Sequence, residues 1–176
     1  MKSPVSFVAH VTRLPRGGLP VLVEADAAQR ETLAREHGLV SVERYRAELL
    51  VEAWKRRGVS VKGKVEADIT QSCVVTLDPV EQHISEEVSG LYFPDDSRIG
   101  RDGFEAGGEI ILDPEGPDAP ETFSGDTIDV GALAEEFFGL AIDPYPRKPG
   151  VQVEPPPEGD AADSPFAKLA RLQGKS

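Results

Sequence analysis

The sequence has few of the residues from which metal centres and nucleophilic sites are built. It contains one cysteine, Cys73, and three histidines, His10, His37 and His83, which lie far apart along the chain. A single cysteine excludes an internal disulfide, and with scattered histidines it leaves no ligand set for a tetrahedral zinc site. Cys73 falls on the apolar phase of a predicted strand, which favours a buried thiol over a nucleophile. We therefore expect no cofactor, no metal and no enzymatic activity.

Long apolar segments and phosphate-binding motifs are missing as well. No run of 18 apolar residues occurs, so we expect no membrane-spanning segment and no membrane partner. Residues 1–4 carry no apolar stretch of the signal-peptide type, and we expect a cytoplasmic protein. No Gly-x-Gly-x-x-Gly or Gly-x-x-x-x-Gly-Lys motif is present to hold a nucleotide.

Negative charge is abundant and unevenly distributed. The formal net charge is −12, and residues 78–143 hold 18 Asp/Glu against two Arg, whereas residues 1–57 hold 10 Lys/Arg against 7 Asp/Glu. Nucleic acid would be repelled by the acidic part, so DNA is not an expected partner and direct RNA contact stays open. The acidity suits contact with a basic protein, or it serves solubility alone.

One basic cluster stands out near the middle of the chain. It consists of Lys55, Arg56 and Arg57, with Lys62 and Lys64 on the strand that follows. These five side chains are our tentative anion-facing site. A solvated turn is the alternative.

The acidic residues between positions 95 and 113 raise a different possibility. Their carboxylates could hold a hard cation for a metal-dependent hydrolase or nuclease, although Ile99 falls where an EF-hand loop needs an oxygen ligand. A solvated acidic loop is the alternative.

The clearest structural signal is an alternation of apolar and polar residues between positions 44 and 73. Apolar residues occupy every second position from Tyr45 to Ala53, and the alternation resumes with Val59, Val61, Val65, Ala67, Ile69 and Cys73. Period two predicts an antiparallel hairpin with one buried face. A third strand, at about 80–93, completes a meander, and short strands are predicted at 5–11, 19–23 and 110–112.

Two helices carry start signals. Asp26 and Gln29 have capping-box spacing, with Gly38 as the stop, and Asp129 precedes an apolar stripe that ends before Pro144. Residues 94–108 and 113–126 are predicted loops. The sequence thus predicts an α+β fold, an antiparallel meander-type sheet with the 129–141 helix on one face. The expected core residues are Val51, Val61, Val65, Ile69, Val130, Leu133 and Phe137.

The C-terminal part predicts a separate organisation. We divide the chain into one α+β domain at 1–145, an acidic Pro-rich linker at 146–163, and a short helix and tail at 164–176. Ser164 and Pro165 predict the helix start. Phe166, Leu169 and Leu172 are expected to contact a partner, or to dock on the chain's own sheet.

Three motifs together carry a resemblance to a known family. The first is Cys73-Val-Val-Thr-Leu77-Asp-Pro79, the second is the Ile128-Asp-Val start of an acidic helix, and the third is the Pro165-Phe-Ala-x-Leu-x-x-Leu box. In this order and spacing the chain resembles the bacterial YceD family, the large ribosomal RNA subunit accumulation proteins. Many members have a second cysteine where this chain has Thr76, which argues against metal or redox use here.

The resemblance implies a role in the synthesis, processing or stability of large-subunit ribosomal RNA, without a known enzymatic activity. The expected partner is a ribosomal or ribosome-assembly protein. A protein–protein adaptor unrelated to ribosomes is the alternative function, and the metal-dependent hydrolase is a further one.

Overall fold

A computed structural model describes residues 2–54, 57–95 and 121–151. In chain order the elements are strand β1 (Val8–His10), a 3-10 turn (Val11–Arg13), β2 (Leu19–Glu24), helix α1 (Ala27–Glu36), β3 (Ser41–Trp54), β4 (Gly58–Ser72), β5 (Pro79–Pro94), β6 (Glu121–Phe123), β7 (Thr127–Asp129) and helix α2 (Val130–Ala141). The predicted α+β class is confirmed.

The main sheet has the order β2-β3-β4-β5-β6, and β1 pairs with β7 in a separate two-stranded ribbon. Strands β2 to β5 are neighbours in sequence and antiparallel, which confirms the predicted meander. β6 pairs parallel to the end of β5. It lies in a stretch predicted to be loop, and that prediction was wrong because three residues are too few to show a strand period.

One face of the sheet forms the core. Val51 lies opposite Val61 on the neighbouring strand, and both are fully buried, as are Val65 and Ile69. Helix α1 packs on β3, and α2 packs on β4 and β5. On β4 the residues of the other phase are buried at Gly58 and Ser60 but exposed or half-buried from Lys62 onward, so most of the opposite face of the meander is open to solvent. Ala53 leaves the buried pattern and is exposed near the end of β3.

Both helices begin where their caps predict. The Asp26 side chain accepts a hydrogen bond from the Gln29 amide at 2.8 Å, and the Gln29 side chain accepts one from the Asp26 amide at 2.8 Å. Gly38 has the left-handed φ of +66° that a helix stop requires. In α2, Asp129 caps the amide of Ala132 at 3.0 Å.

The prediction for Phe137 was wrong in part. Val130 and Leu133 are buried as expected, but Phe137 is only partly buried, and the fully buried aromatic residue is Phe138. The ring of Phe138 meets those of His37 and Tyr45 edge-on, with centroids 5.1 and 5.4 Å apart. These two ring contacts explain why Phe138, and not Phe137, is the fully buried residue.

The N-terminal segment is less regular than predicted. Only Val8–His10 forms a strand; residues 5–7 of the expected strand are irregular, and residue 11 begins the 3-10 turn. The predicted strand at 110–112 lies outside the described residues.

Candidate functional site

The predicted basic cluster is only partly described. Lys62 and Lys64 project from the open face of β4, and Arg57 lies in the turn before it, whereas residues 55 and 56 are outside the described ranges. Lys64 faces Glu48 and Glu87 on the neighbouring strands and forms an ion pair with Glu66 at 2.8 Å. Carboxylates therefore surround Lys64, and the anion-facing site stays a prediction.

The arginines of the open face are engaged in the same way. Arg44 pairs with Asp68 at 2.7 Å, and Arg46 pairs with Glu24 at 2.8 Å. The pKa of Asp68 is lowered by hydrogen bonds from His83, at 2.6 Å, and from Arg44. Since these cations are compensated by neighbouring acids, the described part of this face offers an anion little free positive charge.

The acidic stretch at 95–113 is described only at Asp95. Its amide donates to the carbonyl of Phe123 at 3.1 Å, and its side chain accepts a hydrogen bond from Ser124. No group of three potential metal ligands occurs within residues 2–54, 57–95 and 121–151. The metal-dependent alternative rests on residues outside these ranges and stays a prediction.

The loop between β4 and β5, residues 73–78, is tightly hydrogen-bonded. The Cys73 amide donates to the Asp78 carbonyl at 2.8 Å, and the Leu77 amide donates to the Cys73 carbonyl at 2.9 Å. This geometry places Leu77 at a left-handed φ of +62°, which costs a residue with a Cβ roughly 1–2 kcal/mol. The fold therefore stabilises an unfavourable backbone at a residue of the family motif.

Cys73 is fully buried, as predicted, and hydrogen bonds to its sulfur lower the pKa of the thiol. A hydrogen bond from the Thr76 side chain, followed by one from the Lys148 amide at 3.4 Å, lowers the pKa of Cys73 to about 6. Backbone amides of the loop add to the effect. Thr76, the position at which the family resemblance implies a second cysteine in many members, here stabilises the thiolate of Cys73 through its hydroxyl.

The segment that follows α2 closes over this loop. The Val74 amide donates to the Pro146 carbonyl at 2.9 Å, and Lys148 Nζ lies 3.1 Å from Asp78 Oδ2. Gln71 donates to the Asp143 carbonyl at 2.9 Å. The predicted linker was placed from residue 146, but residues 146 and 148 contact the loop. Residues 152–176 are outside the described ranges, so the domain division stays a prediction.

Four apolar side chains are exposed around this loop and define what we call the apolar tip. Leu77 is 77% exposed and Tyr145 is 71% exposed, and Val74 and Val75 are exposed as well. The sequence motif indicates Leu77, but no pattern in the sequence indicates Tyr145. The sequence signal for an exposed apolar surface here is the pair Val74-Val75, because two adjacent apolar residues interrupt the strand alternation just after Cys73.

A scan against protein families gives a match over residues 61–173, to the family described as Large ribosomal RNA subunit accumulation protein YceD. The chain belongs to the YceD family. No curated protein matched the chain in a comparison, and no solved structure did either.

Residues 61–173, which match the YceD family, include most of the residues discussed above. The matched range contains Lys62, Lys64, the whole β4–β5 loop and helix α2, and it begins after Arg57. By position it also includes Phe166, Leu169 and Leu172, whose structure lies outside the described residues. Among the described helices, none has the length and apolar character needed to cross a membrane.

Proposed function

We propose that the protein is a non-enzymatic accessory factor for large-subunit ribosomal RNA, and that it acts by binding a ribosomal or ribosome-assembly protein. The observation that carries the proposal is the apolar tip. Its central residue, Leu77, is held by hydrogen bonds in a left-handed conformation and presents most of its side chain to solvent.

The strained backbone at Leu77 is unfavourable, and no contact within the described part of the chain offsets it. A leucine that is 77% exposed contributes little burial energy, and its backbone conformation is unfavourable. A partner that covers Leu77 and Tyr145 would gain the burial that the free protein does not have. Exposed apolar patches of this kind mark interaction sites.

Membership of the YceD family supports the role in ribosomal RNA accumulation, and the β4–β5 loop carries the proposed binding surface. The tip residues Val74, Val75, Leu77 and Tyr145 all fall within the region that matches the YceD family. The charge of −12 favours a basic protein as the partner over RNA itself, because phosphate groups would be repelled.

The test exploits the backbone of Leu77. Asparagine tolerates the left-handed region, so Leu77→Asn removes the apolar side chain without adding strain. The matched control is Leu140→Asn, because Leu140 on α2 is also 77% exposed and lies outside the tip. Each variant replaces the chromosomal gene, and the ratio of large- to small-subunit ribosomal RNA is measured at equal protein abundance.

We expect deletion of the gene to lower this ratio, and we expect Leu140→Asn, but not Leu77→Asn, to restore it. An unchanged ratio in the deletion strain would remove the proposed function. Full restoration by Leu77→Asn would leave the function but exclude the tip as its surface. Affinity purification at low and moderate salt, with and without RNase, separates protein-bridged from RNA-bridged partners.

A further inference from the structure

The described chain ends beside the apolar tip. After α2 the backbone passes over the β4–β5 loop, where the Pro146 carbonyl accepts a hydrogen bond from the Val74 amide at 2.9 Å. Two residues later the Lys148 amide donates to the sulfur of Cys73 at 3.4 Å. The Val151 amide then donates to the Lys148 carbonyl at 3.2 Å, so a turn on this same loop holds the last described residue. The rest of the chain therefore starts at the tip.

Residues 164–176, which we call the tail, have the composition of a segment that binds an apolar surface. They contain three Lys/Arg and no Asp or Glu. The helix that the sequence predicts there has one apolar face and one basic face. The apolar face carries Phe166, Leu169 and Leu172, and the basic face carries Lys168, Arg171 and Lys175.

The charge of the rest of the chain attracts the tail. Residues 1–163 have a formal net charge of −15 and the tail has +3, which gives −12 for the whole chain. The charged residues next to the tip are also acidic in balance, with Asp78, Glu81 and Asp143 against Arg147 and Lys148. At physiological salt such attraction acts over about 8 Å, so it favours the approach of the tail, and the apolar residues decide where it binds.

The chain between the tip and the tail is long enough to return. Phe166 follows Val151 by 15 positions. Fully extended, 15 residues span roughly 50 Å, and a random coil of that length has its ends roughly 20 Å apart. A tether of this length gives an effective concentration on the order of 1 mM. An affinity too weak to join two separate molecules is therefore enough to hold the tail on the tip.

We propose that the tail docks its apolar face on the apolar tip of its own chain. Burial against the tail would offset the unfavourable backbone of Leu77, because the exposed leucine would gain apolar contacts. The open face of the sheet is a poorer site, since its exposed side chains are mostly charged and form ion pairs such as Arg44–Asp68.

Docking of the tail would make the tip a regulated surface. A partner must displace the tail before it can cover Leu77 and Tyr145, and a segment with the same apolar and basic character is the chemistry that competes best. This regulation rests on the proposed function, whereas docking is a property of the purified protein and can be tested without a partner.

The first test reads the tip while the tail is changed, in full-length protein, by backbone amide chemical shifts. Leu169→Ser removes the central apolar side chain of the tail. The matched control is Ala167→Ser, which introduces the same residue outside the predicted apolar face. We expect Leu169→Ser to shift the amides of residues 74–77 and 145, and we expect Ala167→Ser to leave them unchanged.

The reciprocal test reads the tail while the tip is changed. Leu77→Asn should shift the amides of residues 166–172, which are far from it in sequence. Leu140→Asn is the control, because Leu140 is equally exposed and lies outside the tip. It should leave the tail amides unchanged.

A peptide of residues 162–176 measures the strength of docking. We expect it to bind the Leu169→Ser protein at the tip amides with a Kd of about 0.1–1 mM, an affinity at which a tethered tail is docked half of the time or more. Wild-type protein should bind the peptide about two- to tenfold more weakly, because its own tail competes at an effective concentration of about 1 mM. The Leu77→Asn protein should bind it more weakly than the Leu140→Asn protein.

Any of three results would overturn the proposal. Tip amides that are the same in Leu169→Ser and in wild type, or shifts confined to the open face of β3, β4 and β5, would mean that the tail is not on the tip. Equal peptide affinity of wild type and Leu169→Ser would mean that no tail competes. Tail shifts that disappear on tenfold dilution would mean that the tail binds a second copy of the chain. None of these measurements involves ribosomal RNA, so docking and the proposed function can fail separately.

Discussion

Gly131 offers a direct test of how the N-terminal segment is held on the fold. It is the second residue of α2, and a Cβ built there would lie 2.1 Å from the carbonyl oxygen of Val5 and 2.5 Å from the Phe7 amide nitrogen. Both neighbours are backbone atoms, so no side-chain rotation can relieve the clash. Gly131→Ala must push the N-terminal segment away from the helix.

The expected cost follows from the contacts of that segment. Displacement would break the hydrogen bonds from Val130 to Phe7, at 3.0 Å, and from Phe7 to Asp129, at 2.9 Å, each worth about 0.5–1.5 kcal/mol. It would also expose Val5, now 1% exposed, whose burial is worth about 1.5–3 kcal/mol. Alanine returns at most about 1 kcal/mol of helix propensity. We expect a net loss of about 2–4 kcal/mol.

The assay is urea unfolding, followed by circular dichroism, with Gly139→Ala as the control in the same helix. At Gly139 the added Cβ would meet only the His37 ring, at 3.1 Å, and a side chain can adjust. Its free energy of unfolding should change by less than about 1 kcal/mol, in either direction. If Gly131→Ala is as stable as Gly139→Ala, the N-terminal segment does not cross α2 as closely as described.

Two further predictions concern single side chains. Because the pKa of the Cys73 thiol falls from an unfolded value near 8.5 to about 6, its stabilising contribution should be complete above about pH 8.5 and lost as the pH falls through 6. The measurement is the free energy of unfolding of the wild type and of Cys73→Ala across this pH range. A difference between the two that does not grow with pH contradicts the lowered pKa of the thiol. Thr76→Val should raise the pH midpoint at which the thiolate absorbance appears. Asp129→Ala removes the α2 cap and the acceptor of the Phe7 amide, so it should lower the free energy of unfolding by at least about 0.5–2 kcal/mol, and an unchanged urea midpoint would contradict this.

The sequence predicted those parts of the fold that are set by local patterns. Period two over residues 44–73 identified the β3–β4 hairpin, and the spacing of Asp26 and Gln29 identified the first helix. These signals work because strand alternation and capping depend on neighbours a few residues away.

The parts that sequence reasoning missed depend on contacts between distant residues. Phe137 and Phe138 are equivalent by composition, and only the rings of His37 and Tyr45 decide which is buried. The parallel pairing of β6 with the end of β5 places Glu121 beside Tyr92, which is 29 positions earlier in the chain, and such a pairing has no local signature. Tyr145 was missed because no local pattern shows that the chain returns to the β4–β5 loop after α2.

The charged side chains on the open face of the sheet largely compensate one another. Ion pairs such as Arg44–Asp68 and Arg46–Glu24 occupy the charges of that face, and exposed pairs of this kind are worth only about 0–1 kcal/mol each. They supply solubility without a strong preference for any partner. β5 is hydrogen-bonded to β4 along its length, from Ser72–Pro79 to Val59–Tyr92, so the distance between the ends is fixed by the sheet. The β4–β5 loop, which carries Val74, Val75 and Leu77 of the apolar tip, therefore leaves the sheet at a fixed end.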